Sequence, residues 1–412
     1  MKYLVLIGDG MADYPLAELG DRTPLDAAST PAMDEAARKG LVGQFCPIPE
    51  DLPPGSDIGN LSLFGYDPHQ TFTGRAPLEA ASMGIALDPD QIAFRCNLVT
   101  LRDGVMESFT SGHITSEEAA AIIPSLNAAV DGLPIRFHAG VSYRHLAILT
   151  GEALIADLAR ASCTPPHNIT GQPYAPHLPQ GPGAEWLAEI ADRCRPALAA
   201  HPANAARAAA GKPAATAIWL WGQGCAPRME TYPKRFGLSG SVISAVDLVR
   251  GIGVCAGLRV IRVPGATGYL DTNYAGKVAA ALDSLEDADF VFVHVEAPDE
   301  TAHEGRIDLK IQAIEDFDGK VVAPCLDYAL ARRDARLLVA PDHITAIATK
   351  THAGGPVPFV MCGAGVMPGA ATRYSEEQAR HMKTYLGEGH RLTPAFLRLE
   401  TITPEALAAC AG

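Results

Sequence analysis

The stretch Leu337–Phe359, LLVAPDHITAIATKTHAGGPVPF, holds an adjacent aspartate and histidine, Asp342 and His343, and a second histidine, His352, in the loop beyond them. Carboxylate oxygen and imidazole nitrogen are both suitable donors for a divalent metal ion. Three further places carry matching chemistry. Asp9 sits between two glycines in Gly8-Asp9-Gly10. Asp299 and His303 are spaced i, i+4, which puts both side chains on one face if Asp299 opens a helix. Ser56 follows Pro53-Pro54-Gly55 at the mouth of an expected helix. There, free N–H groups and the helix dipole stabilise an alkoxide or a phosphoryl group, and a neighbouring metal ion makes the hydroxyl a nucleophile. Each part has a plainer reading on its own: a turn aspartate, an N-cap serine, a surface histidine. Together they offer more oxygen and nitrogen donors than one ion uses. A pair of ions stabilises both the attacking and the leaving oxygen of an in-line phosphoryl displacement, with Ser56 as nucleophile and a phosphoserine as intermediate. Arg75, in Thr73-Gly74-Arg75 before a helical pattern, suits bidentate binding of phosphate or carboxylate. Polar loops around His113, Arg144 and His167 offer further anion contacts, although a lone histidine is more often structural than functional.

These residues need a scaffold that brings distant segments to one edge. Tyr3–Ile7, Phe290–Val295 and Leu337–Ala340 are continuous apolar runs of the kind buried on both faces of a parallel sheet. Asp9, Asp299 and Asp342 all follow the C-terminal ends of such runs, where open α/β sheets bind ligands. Residues 240–249 are expected as a helix, 258–263 as a strand and 308–317 as a helix. The expected fold is thus α/β, a mainly parallel sheet covered by helices on both faces. The texture changes in the middle. Strands are expected over 92–101, 135–138 and 142–149, and Thr115-Ser116-Glu117-Glu118 opens a capped helix. This β-α-β-β pattern is expected as an inserted α+β unit over residues 89–210. The main domain then comprises 1–88 and 211–412, re-entered through the buried pattern Ala217–Gly222.

Composition limits the partners. The 412 residues are 48% hydrophobic and 19% charged, with a formal net charge of −14. Such a chain lacks the basic face that nucleic acid or an anionic membrane requires. An anionic substrate must then be met by local arginine, lysine or metal charge. The nine cysteines are scattered without a CxxC pair, which fits a reducing cytoplasm and indicates neither a disulfide framework nor a cysteine-based zinc site. Met1–Gly8 is too short for a signal sequence, and no window has the length of a membrane-spanning helix. The expected location is cytoplasmic.

The joint pattern resembles the archaeal-type, cofactor-independent phosphoglycerate mutases of the alkaline phosphatase superfamily. The likeness spans nearly the whole chain. It is carried by GDGMAD (8–13), PPGSDIGNLSLFGYDP (53–68), TGRAPLEAASMGI (73–85), FRCNLVT (94–100), SGHIT (111–115), GVSYRHL (140–146), WLWGQG (219–224), ISAVDLVRGIGV (243–254), VPGATGYLDTNY (263–274) and HVEAPDETAHEG (294–305). The resemblance implies an alkaline-phosphatase-like core with an inserted cap. It implies one metal ion on Asp9, Ser56, Asp342 and His343, and a second on Asp299, His303 and His352. The ions are manganese by expectation, with magnesium, cobalt or zinc as alternatives, and no bisphosphoglycerate is required. Ser56 would accept the phosphoryl group of 3-phosphoglycerate and return it to the other hydroxyl. Arg75, His113, Arg144 and His167 are the candidates for substrate phosphate or carboxylate. The partner is a small phosphorylated substrate, and a homo-oligomer is compatible. Two departures touch the last loop: Ile344 stands where many relatives have Pro, and Gly355 where many have Asp. A homoserine kinase or a phosphatase on the same phosphoryl-transfer core is the alternative reading.

Overall fold

The computed structural model describes residues 1–410. The chain divides into two compact units, one of residues 1–72 with 228–412, the other of residues 73–227.

The larger unit is built on an eight-stranded sheet. Its spatial order is Tyr385–Leu386, Leu41–Phe45, Val357–Gly363, Ala335–Ala340, Lys2–Gly8, Phe290–Val295, Gly240–Ile243 and Arg259–Val260. The Val357–Gly363 strand runs antiparallel to both its neighbours, and the other pairings are parallel. Lys2–Gly8 pairs on one side with Phe290–Val295 and on the other with Ala335–Ala340, so the strands preceding the three site aspartates lie side by side. Every residue of Phe290–Val295 and Ala335–Ala340 is buried, as a run covered on both faces requires. One face packs Leu4, Leu6, Val291, Val293, Leu337 and Val339 against the helices Pro31–Lys39, Tyr274–Asp287, Ile307–Phe317 and Ala323–Leu330. On the other, Phe292 stacks on Phe64 at the end of the Ser56–Leu63 helix, with ring centroids 4.0 Å apart, and Tyr3 meets Phe396.

The smaller unit holds a five-stranded antiparallel sheet around the long Gln91–Arg102 strand. That strand pairs with Val105–Ser108, Arg144–Thr150 and Ala217–Gly224, and Ile135–Val141 pairs with Arg144–Thr150. The Ser116–Ala129 and Ala184–Ala200 helices cover one face through Ile122, Leu126, Ile190 and Leu198. The Thr115 side chain accepts the Glu118 N–H while the Glu118 carboxylate accepts the Thr115 N–H, the reciprocal cap that the sequence suggests.

The smaller unit is wider than the expected 89–210 at both ends. Ala217–Gly224 looks like the return to the main sheet, but it pairs with Gln91–Arg102 instead. The Arg75–Ser82 helix belongs here too, its Ala76 and Ala80 packed on Ala93, Leu146 and Ile148. Residues 240–249 also differ from expectation. Gly240–Ile243 is a strand beside Phe290–Val295, and the helix runs Asp247–Cys255. The β-branched pair Val242-Ile243 finds a partner strand there, and tertiary pairing overrides the helical pattern.

Candidate active site

Asp9 follows the Lys2–Gly8 strand, and Asp342 and His343 follow Ala335–Ala340. Phe290–Val295 leads into the Ala297–Glu304 helix, which carries Asp299 and His303 on one face. His352 comes from a short hairpin, Ile344–Ala346 with Thr351–Ala353, in which it sits opposite Thr345. Ser56 is the first residue of its helix, and its side chain does not serve as the cap. Gly59, one turn on, lets that helix lie against the Asp342 backbone, where a Cβ would collide with the Asp342 carbonyl.

The seven side chains named from the sequence converge. His343 Nε2 is 3.1 Å from Ser56 Oγ, 3.2 Å from Asp9 Oδ1 and 3.5 Å from Asp342 Oδ2. Asp299 is 3.2 Å from His303 Nε2 and 3.4 Å from His352 Nε2, and the two Nε2 atoms are 3.0 Å apart. Ligand atoms of Asp9, Asp342 and His343 lie within 4.8 Å of one another, as do those of Asp299, His343 and His352. His343 therefore stands in both groups, where the family likeness implies only one.

The electrostatics of this cluster call for positive charge. Burial, and then the charge of Asp299, push Asp9 well above the usual carboxylate range. Burial and the Asp9 charge raise Asp342 to about 7. Burial also acts to raise Asp299, but hydrogen bonds from His303 and His352 outweigh it and hold its carboxyl well below the usual value. Those same contacts raise His303 to about 9. Buried carboxylates at this spacing repel unless a cation or a proton lies between them. Asp9 Oδ1 is a buried oxygen with no hydrogen-bond partner. The imidazoles are oriented to match. His303 Nδ1 donates to the Lys350 carbonyl at 2.9 Å, which points Nε2 at the cluster, where it gives its proton to Asp299 and would offer a lone pair to an ion in place of that proton. The donor set, its burial and its orphaned oxygen fit divalent cations.

A family model described as 2,3-bisphosphoglycerate-independent phosphoglycerate mutase matches residues 37–204. A relative of that name from Methanosarcina acetivorans is 50% identical over 380 residues, covering 92% of this chain and 95% of the relative. The chain belongs to this family. A solved structure from Pyrococcus horikoshii is 29% identical, covers 98% of each chain and superposes with a TM-score of 0.82. The solved cofactor-independent phosphoglycerate mutase from Thermoplasma acidophilum, at 24% identity and full coverage of both chains, shares the fold with a TM-score of 0.66. The mixed α/β fold and the mutase family thus agree. Among the described residues no helix is long and apolar enough to cross a membrane.

Of the family-implied substrate contacts, the smaller unit gathers Arg75, Arg144 and His167 around a residue the sequence reading passed over, Arg95. Arg95 is buried over the Trp221 ring at 4.2 Å and donates from Nε to Glu79 Oε2 at 2.9 Å. Arg75 Nε reaches the other oxygen of Glu79 at 3.3 Å. Burial, together with the charges of Arg75 and Arg144, lowers Arg95 to about 10 despite Glu79. His167 packs edge-on against Trp221, and burial and then Arg95 and Arg75 lower its pKa. His113 is not drawn in. It is exposed, and among the described residues it makes no ion pair or ring contact.

Other residues that serve the mutase cluster carry no sequence signal of their own. Asn60 Nδ2 donates to Asp342 Oδ2 at 2.6 Å and to the Ser56 carbonyl at 2.9 Å, tying the helix start to that carboxylate. The Gly10 N–H binds Asp342 Oδ1 at 3.0 Å. His294, fully buried on the strand before Asp299, places Nε2 3.0 Å from Asp9 Oδ2. Burial lowers its pKa to about 4, so it is neutral.

Proposed function

We propose that the chain is a metal-dependent, 2,3-bisphosphoglycerate-independent phosphoglycerate mutase that interconverts 3-phosphoglycerate and 2-phosphoglycerate through a phosphoserine on Ser56. The observation that carries this reading is the place of Ser56 Oγ. It lies at a helix start, 3.1 Å from His343 Nε2, beside the buried carboxylates Asp9 and Asp342.

Asp9, Ser56, Asp342 and His343 are the proposed ligands of one ion, and Asp299, His303 and His352 of the other, with His343 placed near both. When bound, such ions, manganese in the first instance, neutralise charge on the phosphoryl oxygens and make the serine hydroxyl acidic enough to attack. Ser56 Oγ attacks phosphorus. The Ser56–O–P bond forms as the bond from phosphorus to the C3 oxygen of the substrate breaks. The serine proton is released, and the leaving oxygen takes one up. The glycerate then presents its C2 hydroxyl, which attacks the phosphoserine, regenerates Ser56 and completes an isomerisation with no net change of atoms or electrons. The free N–H groups of the Ser56–Leu63 helix are suited to the phosphoryl oxygens. Arg75, Arg95 and Arg144 supply the cationic chemistry that a phosphate or carboxylate needs, and His167 a neutral imidazole N–H.

The test is purified protein with manganese and 3-phosphoglycerate, without bisphosphoglycerate, followed by phosphorus NMR. The mutase reading predicts 2-phosphoglycerate as the product. ATP consumption with homoserine in its place would establish a kinase, and free phosphate as the main product a phosphatase.

A further inference from the structure

Thr345 belongs to neither set of proposed ligands, yet its side chain touches both. Its Oγ1 lies 2.5 Å from Asp299 Oδ1 and 3.1 Å from His343 Nδ1. A hydroxyl has one proton to give. A carboxylate oxygen only accepts, so that proton goes to Asp299. The contact with His343 is then one in which Nδ1–H donates to Oγ1. This leaves the His343 Nε2 lone pair facing Ser56, Asp9 and Asp342. One hydroxyl thereby sets the rotation of a carboxylate in the second donor group and the tautomer of the imidazole shared by both.

The surroundings keep the hydroxyl in that place. Thr345 is completely buried. Its N–H donates to the Ala12 carbonyl at 3.2 Å, and its carbonyl accepts from Lys310 Nζ at 2.7 Å. The same ammonium donates to the Ala12 carbonyl at 3.1 Å and to Asp13 Oδ2 at 2.8 Å. A single buried lysine therefore joins the loop after Asp9 to the loop after His343, and Thr345 is held through its own N–H and carbonyl, which a substitution of its side chain leaves in place. Gly10 leaves the space open. Its φ is +57°, and a Cβ there would collide with Thr345 Oγ1 and Asp299 Oδ1.

We propose that Thr345 is a positioning residue that couples the two ion sites, because its hydroxyl fixes Asp299 and His343 at once. Resting on the two-ion reading above, this predicts that loss of the hydroxyl weakens both ions together. Second-layer partners of metal ligands typically contribute about 10–100-fold in affinity. The experiment is calorimetric titration of manganese into the ion-free wild type and the T345V and T345S variants, with ion content counted by mass spectrometry. Nitrogen NMR of the ion-free proteins reports the His343 tautomer. Thr345→Val, which keeps the shape and loses the hydroxyl, is expected to weaken both ions by about 10–100-fold and to mix the tautomers. Thr345→Ser should restore affinity and tautomer. Thr345→Ala carries the same prediction and replaces the valine variant if that one does not fold. Two ions bound to T345V with wild-type affinity overturn the inference and leave the two-ion reading intact. So does weakening of one ion alone, or a serine variant as weak as the valine one. A wild type that takes up fewer than two ions overturns the two-ion reading, and this inference with it.

Discussion

The two units concentrate opposite chemistry. In the larger unit, Asp9, Asp299 and Asp342 are 1%, 5% and 0% exposed, and their oxygens lie against imidazole nitrogens beyond the ends of adjacent strands. In the smaller unit, Arg95 is 7% exposed and shares Glu79 with Arg75, with Arg144 and His167 nearby. The first cluster is rich in buried carboxylates, and on the proposed function cations would complete it. The second has more positive than negative charge, and on the proposed function an anion would complete it. The supports differ as well. Asp9 and Asp342 follow strand ends directly, and Asp299 stands in the first turn of the helix that follows the third strand. The guanidiniums reach from a helix start and from the sheet's strands on long side chains, held by one carboxylate and one indole. In each unit the side chains supply the charge that the proposed ligand lacks.

This contrast separates binding of ions from binding of substrate. The largest effect is expected from Asp342→Ala, which should remove the ion at Asp9 and His343 and reduce turnover to background. Arg95→Lys should keep both ions and raise KM by about tenfold or more, because an ammonium does not replace a guanidinium that both stacks and hydrogen-bonds. Ion content by mass spectrometry, run beside steady-state kinetics, checks both. If Arg95→Lys lost ions while Asp342→Ala kept them, the assignment of chemistry to the two units would be reversed.

Stability should divide in the same way. Lys310→Met leaves Asp13 without its cation in a site where both side chains are fully buried. Removing one member of a buried pair costs about 3–5 kcal/mol, to be read from urea unfolding. A loss within experimental error would show that Asp13 finds another partner.

A pH effect follows from Glu376, buried in the larger unit, where it accepts from Thr23 Oγ1 and the Asp13 N–H. Burial raises its carboxyl from 4.5 to about 7. A folded-state pKa above the unfolded one means the folded protein binds the extra proton. The associated stability is complete below pH 4.5 and is lost as pH rises through about 7. The loss is on the order of 3 kcal/mol at most. Urea midpoints of wild type and Glu376→Gln between pH 4.5 and 7.5 should converge at the acid end and separate above it. Parallel curves would contradict the assignment. The smallest effect belongs to the smaller unit, where Thr115→Ala removes a helix cap and should cost about 1 kcal/mol.

Much of this was legible before any coordinates. Apolar runs that stop abruptly at Gly-Asp-Gly and Pro-Asp-His announce buried strands with carboxylates at their ends, and neighbouring parallel strands leave those ends little choice but to meet. Pro-Gly before Ser56 marks a helix start in the same direct way. Thr345 and Asn60 were not legible, because a threonine in a hairpin and an asparagine in a helix carry no periodic or spacing signal. Their roles exist only once the Lys2–Gly8 and Ala335–Ala340 strands are paired. The sharing of His343 depends on where the hairpin folds back, which residue spacing does not encode. The unit boundary was misplaced because Ala217–Gly224 is equally apolar whichever sheet receives it.

The most direct test of the whole account is where the phosphoryl group goes. Manganese-loaded enzyme is mixed with 3-phosphoglycerate, quenched in acid within the first turnover and digested for mass spectrometry. The account predicts one added phosphoryl group on the peptide containing Ser56, absent in Ser56→Ala, whose ion content stays near wild type. Formation of 2-phosphoglycerate by Ser56→Ala, or a phosphoryl group trapped on any other residue, would contradict it.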